Sequence, residues 1–230
     1  MRAVEPSDPL SEQAMPELIE SSSTRTRRLI VEAAIELYRQ IGHRKTTVLD
    51  IARRVSMSPA NVYRFFPTKH AIEEAAVAEL LAGFFKSAAD AVRGGGSAVQ
   101  RLSVTLNAIA WSNEEILAKD AQLHGLLALA AHENWPVTLS FVDRIRGLLR
   151  PIIAAGQASG ELRGGSPMAM ICCLLEATHS YLDPSRIGTP KLRPSLIEMM
   201  NFCADALRQA PASCAPAEAP DARLRAAGGR

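Results

Sequence analysis

Aromatic residues make up only 5% of this 230-residue chain, and its four cysteines include no C-x-x-C pair. Cys172 and Cys173 are adjacent, Cys203 stands alone on a helical pattern, and Cys214 lies in a Pro/Ala-rich stretch. That spacing supports neither a zinc site nor a dithiol redox centre, and it reads as buried or incidental thiols. No apolar run approaches the ~18 residues of a membrane span. Glycine-rich phosphate loops and nucleophile–base signatures are missing, so no enzyme chemistry and no cofactor are expected. Long alternation of β-branched residues is missing too, which argues against a sheet. The first twenty residues (MRAVEPSDPLSEQAMPELIE) lack the basic start and apolar core of a signal peptide. The expectation is a cytoplasmic protein with no membrane partner.

What the chain does have is local charge. The formal net charge is only +2. Between Thr24 and Lys69, however, Arg25, Arg27, Arg28, Arg39, Arg44, Lys45, Arg53, Arg54, Arg64 and Lys69 face only Glu32, Glu36 and Asp50. A basic unit inside a near-neutral chain predicts a polyanionic partner for that unit alone.

Apolar residues recur at three and four throughout, so the expected fold is all-α. Residues 1–22 are rich in Pro, Ser and acids, residues 211–230 in Pro, Ala and Gly, and both read as disordered tails. A first helix is expected over 24–40, with Ile30, Ala33, Ala34, Leu37 and Ile41 inward and Gly42 as its stop. Thr47 caps a short helix to Arg54, with Asp50 completing a capping box and Val48, Ile51, Ala52 and Val55 inward. Ser58-Pro59 opens another short helix, ending near Phe66-Pro67. Thr68 caps a long helix over 69–93, with Ile72, Ala76, Leu80 and Phe84 inward. Further helices are expected over 97–112, 114–133, 136–158, 167–182 and 194–209. The domains follow: a helix-turn-helix over 23–70, linked through helix 69–93 to a larger helical domain over 71–210.

The segment TVLDIARRVSMSPANVYRFFPTK, from Thr47 to Lys69, has the spacing of a DNA-reading helix-turn-helix. Ala52 is small where two helices must cross, and Val62 with Phe65 or Phe66 faces inward. Pro59, Ala60, Asn61 and Arg64 are left for the major groove, where Asn can pair with adenine and Arg with guanine. Ser58, Tyr63 and Lys69 can bond phosphates, which fixes register without reading sequence. Arg25, Arg27 and Arg28 either contact the duplex or face water.

The patterns T-x-x-x-I-A (Thr47, Ile51, Ala52) and S-x-x-x-x-Y-x-x-F-x-x-K (Ser58, Tyr63, Phe66, Lys69) resemble the tetracycline-repressor (TetR) family of bacterial regulators. The specific motif spans roughly residues 24–72. The resemblance implies a homodimer on a palindromic double-stranded DNA operator, with Thr47 joining the phosphate contacts. It also implies a C-terminal ligand-binding and dimerisation domain whose small-molecule effector releases the DNA. One departure is Ser56, where the family usually has glycine. A left-handed backbone there would cost about 1 kcal/mol.

Candidates for lining an effector cavity are Trp111, Leu126, Trp135, Phe141, Met168, Cys172, Glu176 and His179, which could equally fill a core or an interface. Glu176 and His179 form one E-x-x-H pair, but di-iron bundles need two copies, so no metal is expected. The dimer interface is expected on the last two helices, through Met168, Ile171, Leu175, Thr178 and Leu182 on one and Leu196, Met199 or Met200, Cys203 and Leu207 on the other. The alternative to effector control is a DNA-binding regulator governed by a partner protein or by thiol oxidation.

Overall fold

A computed structural model describes residues 22–188 and 192–208. Both expected disordered tails, with Cys214, lie outside them, except that Ser22 already belongs to the first helix. The described residues form α1 (Ser22–Ile41), α2 (Val48–Arg54), α3 (Pro59–Phe65), α4 (Lys69–Val92) and α5 (Ala98–Lys119). They continue through α6 (Ala121–His132), α7 (Pro136–Ala158), α8 (Pro167–Leu182), a 3-10 turn (Pro184–Arg186) and α9 (Leu196–Leu207). The fold is all-α, and among the described residues one isolated bridge joins Leu162 to Arg208. No described helix is long and apolar enough to cross a membrane. The chain divides into two compact units, Met1–Ala76 and Val77–Arg230.

In the first unit α1 packs on α2 and α3, and α2 on α3. The capping box at α2 is formed in full: Asp50 N–H donates to Thr47 Oγ1 (3.2 Å), and Thr47 N–H donates to Asp50 Oδ2 (2.9 Å). Gly42 stops α1 with φ 82°. The buried row of α1 differs from the expected stripe. It steps by four through Ile30, Ala34 and Tyr38 to Gly42, flanked by Val31 and Ile35. Ile41 falls off that row and is exposed, and Leu37 is half-buried. On α4 the buried positions are Ile72, Ala76, Val77, Leu81, Phe84 and Ala88, with Leu80 only half-buried.

The second unit packs α5 against α6, α7 and α8, with α8 also against α7 and α9. Its core joins residues such as Leu102, Leu106, Ile109, Leu149, Ile152, Ile171 and Leu174. Two contacts fix the start of α5. A Cβ on Gly156 would lie 2.6 Å from the Ala98 Cβ, so α7 can approach only as glycine there. Glu161 then accepts from the N–H groups of Ala98 (2.7 Å) and Val99 (3.0 Å), while Ser97 and Gln100 complete a capping box.

The break expected at residue 113 falls instead at Asp120, which has φ −140° and ψ 64°. Ser112 and Asn113 look like turn residues, yet both have a hydrogen bond that lets the helix continue. Ser112 Oγ donates back to the Ala108 carbonyl (2.9 Å), and Asn113 Nδ2 donates to the Leu182 carbonyl (2.9 Å).

Candidate functional site

The turn between α2 and α3 is a Schellman-type helix end. Met57 N–H donates to the Ala52 carbonyl (2.8 Å) and Ser56 N–H to that of Arg53 (3.2 Å). Ser56 occupies the left-handed position with φ 54°, where an L-residue is strained. Ser58 Oγ then accepts from Asn61 N–H (3.2 Å) and Pro59 opens α3. Val62 and Phe66 anchor this helix, both essentially fully buried, while Phe65 is half-buried. A further clamp comes from α1. The Arg27 guanidinium lies 4.2 Å from the Phe66 ring centroid and donates to the Phe65 carbonyl. Arg27 therefore holds the end of α3, Arg28 pairs with Glu32 (3.6 Å), and Arg25 is exposed.

With that face committed inward, α3 presents Ala60, Tyr63 and Arg64 outward, and Pro59 and Asn61 are half-buried beside them. Tyr63 is 47% exposed. Two residues expected on phosphates have local uses. Thr47 donates its hydroxyl to Asp50 Oδ2 (2.6 Å). That side-chain bond, then the backbone bond from Thr47, holds the Asp50 carboxyl below its usual range. Lys69 Nζ donates to the His43 carbonyl (2.6 Å) and stands 3.4 Å from Glu73, tying the loop after α1 to the start of α4. Arg44, Lys45 and Arg53, counted in the basic charge of this unit but assigned no contact from the sequence, are exposed.

The second unit holds a cavity of about 220 Å³, open to the surface, between α4, α5, α6, α7 and α8. Its apolar wall includes Leu81, Phe84, Ile109, Leu127, Phe141, Val142, Ile145 and Leu175. Polar groups are fewer: Asn113, Asn134, Thr138, Arg146, Glu176, His179 and Asp183. His179 Nε2 lies 3.2 Å from Asp183 Oδ2, and Arg146 pairs with Asp143 (2.7 Å). Among the described residues no His, Cys, Asp or Glu cluster could hold a metal.

Of the expected lining residues, Phe141, Glu176 and His179 reach the cavity. The other five do not. Leu126 and Trp135 are buried in the packing, Trp111 and Met168 are exposed, and Cys172 is half-buried off the cavity. Composition favours large or reactive residues in such guesses, whereas the cavity is set by which helix faces meet. Asn113 was missed because it reads as a turn residue, and Arg146 because it reads as a solvated charge.

The expected dimer stripes also need correction. Ile171, Thr178, Met200, Cys203 and Leu207 are buried within the unit, and Leu175 and Leu182 line the cavity. Leu196 and Met199 are half-buried against the core. Burial pushes the Cys203 thiol up, away from reactivity. The outward arcs hold Met168, the one member of the expected stripes that is exposed, and Cys173 on α8, and Ile197, Glu198, Asn201 and Phe202 on α9. Helical periodicity alone identifies one apolar stripe, and the monomer's own core claims it.

Residues 30–76 match the family model for bacterial regulatory proteins of the tetR family. Residues 98–195 match the model for the tetracyclin repressor-like C-terminal domain. No curated protein matches the chain. Among solved structures, a transcriptional regulator from Cytophaga hutchinsonii is 19% identical with a TM-score of 0.59, covering 80% of this chain and 99% of that one. Thermus thermophilus FadR, a TetR-family transcriptional repressor in complex with lauroyl-CoA, is 22% identical with a TM-score of 0.57, covering 81% and 98%. Bacillus subtilis FadR, a transcriptional regulator in complex with stearoyl-CoA, is 17% identical with a TM-score of 0.55, covering 79% and 97%. The two matched stretches together cover more than half of the sequence, one on each unit, and the chain belongs to the TetR family of transcriptional regulators.

Proposed function

We propose that this regulator is a repressor that binds a palindromic operator as a homodimer and is released by a small-molecule effector with a substantial apolar body. The observation that carries the effector is the cavity of about 220 Å³, walled mainly by aliphatic and aromatic side chains. The cavity favours this reading over control by a partner protein or by thiol oxidation. The acyl-CoA complexes of the two FadR neighbours support the same ligand chemistry. Leu81 and Phe84 of α4 line the cavity, so an occupant bears on the helix whose first residues close the DNA-reading unit. Release then requires the effector to bind the non-reading conformation more tightly.

On the DNA side, Asn61 and Arg64, with Pro59 and Ala60 beside them, read base edges. Tyr63 and Ser58 hold phosphates. Thr47 and Lys69 act there chiefly through the local contacts that orient α2 and α4. The test is selection from a random duplex library by the full chain. A palindromic sequence should be enriched, and lauroyl-CoA should reduce its binding. Arg64→Ala or Asn61→Ala should shift the preferred bases, at roughly 1–3 kcal/mol per lost contact. Tyr63→Phe should weaken all duplexes alike. No enriched sequence would refute operator recognition.

A further inference from the structure

The cavity of the second unit grades from a buried apolar end to an exposed mouth. Leu81, Phe84, Ile109, Leu127 and Ile145 line it at 1–6% exposure, whereas Asn134, Leu139, Glu176 and His179 line it from exposed positions. Both residues that α4 contributes, Leu81 and Phe84, belong to the buried end. Asn113 is buried too, but its Nδ2 donates to the Leu182 carbonyl (2.9 Å) and its oxygen has essentially no accessible surface. Size sets the other limit. An apolar cavity of about 150 Å³ holds one benzene, or roughly 25 Å³ per non-hydrogen atom. The volume of about 220 Å³ found here then takes about nine such atoms.

We infer that the effector is an amphiphile with a short apolar part, about nine non-hydrogen atoms, which enters first and packs against Leu81 and Phe84 while the polar head stays at the mouth. This rests on the cavity being the effector site, and it narrows the ligand class from apolar bodies in general to alkyl or alkylaryl groups of one length. A polar head driven into the buried end would lose its water among aliphatic and aromatic walls, which sets the direction of entry. Each methylene that reaches the buried end leaves water and gains close packing, about a fourfold gain in affinity. Once that end is full, a further methylene stays at the mouth and gains little. Longer chains still bind, but their extra length no longer adds affinity.

A homologous series of 1-alkanols, from butanol to dodecanol, tests this by titration calorimetry on the full chain. Affinity should rise about fourfold per methylene up to about nonanol, and by less than about 1.5-fold per methylene beyond it. Phe84→Leu opens about three carbons' worth of space at the buried end and should carry the steep rise on to dodecanol. Leu139→Ala, at the mouth, should leave the break where it is. The break is read first on the unaltered protein, so the size limit is tested even if a variant fails to fold. A steep rise through dodecanol in that protein, or a break at hexanol or below, would overturn the size limit while leaving the cavity as a ligand site. A break that Phe84→Leu does not move, or that Leu139→Ala does, would overturn the direction of entry. Absence of binding by every alkanol would overturn both this inference and the effector reading beneath it.

Discussion

Ser56 stands where the backbone is left-handed, at φ 54°, and its N–H, with that of Met57, closes α2 on the carbonyls of Arg53 and Ala52. A side chain at this position crowds the following carbonyl, and glycine would not. Glycine also frees more chain in the unfolded state, which offsets part of the gain. The net expectation for Ser56→Gly is a rise in stability of roughly 0.5–1 kcal/mol, seen as a higher thermal midpoint by circular dichroism. A lower midpoint would mean that the serine makes a compensating contact. The left-handed position was suggested only by the family resemblance, in which glycine usually stands where this chain has Ser56. Arg27 was not legible. Its partners, Phe65 and Phe66, are 38 and 39 positions away, and nothing local distinguishes it from the arginines beside it.

At the scale of elements, the start of α5 shows how one carboxylate can organise a helix end. Burial raises the proton affinity of Glu161, but the backbone bonds from Val99 and Ala98 outweigh it and hold the carboxyl below its usual range. A carboxyl lowered in the folded state contributes stability above its unfolded pKa, and that contribution is lost as pH falls through the folded value. Glu161→Gln should therefore destabilise the protein by roughly 1 kcal/mol at neutral pH. The difference should shrink as pH falls below about 4. Urea unfolding at several pH values measures it, and a gap that does not change with pH would rule out the charged cap. Helix positions were largely readable from caps and prolines: Ser58-Pro59, Ser166-Pro167 and Trp135-Pro136 all begin helices as their chemistry requires. The α5–α6 boundary was not, because polar residues signal a turn only if the helix leaves them unsatisfied. Tertiary contact with the Leu182 carbonyl takes up the Asn113 Nδ2 donor.

At the scale of the whole molecule, a two-fold operator requires two copies of α3, and thus a self-complementary face on the second unit. The exposed arc of α9 holds Ile197, Glu198, Asn201 and Phe202, the last 71% exposed. Aromatic side chains of this size dominate interfaces that bury them. Phe202→Asp should weaken dimerisation by about 30-fold or more, read by sedimentation, and weaken operator binding in parallel. A variant that stays dimeric at unchanged affinity would move the interface off α9. The same arc explains why the expected stripe failed: Ile171, Cys203 and Leu207 have the periodicity of an interface but serve the core of one unit.

The sequence by itself determined what is local. Hydrophobic period, caps and prolines set the helices, and the spacing from Thr47 to Lys69 marked the segment that carries the family resemblance. These signals act over one or two helical turns, so a linear string carries them. Tertiary structure decided what depends on several helices meeting. It chose which apolar face is core and which is open, and it turned Lys69 inward to the His43 carbonyl. It also placed Asn113 in a cavity wall with one unmatched oxygen. A cavity is the space that packing leaves over, and no single segment encodes it.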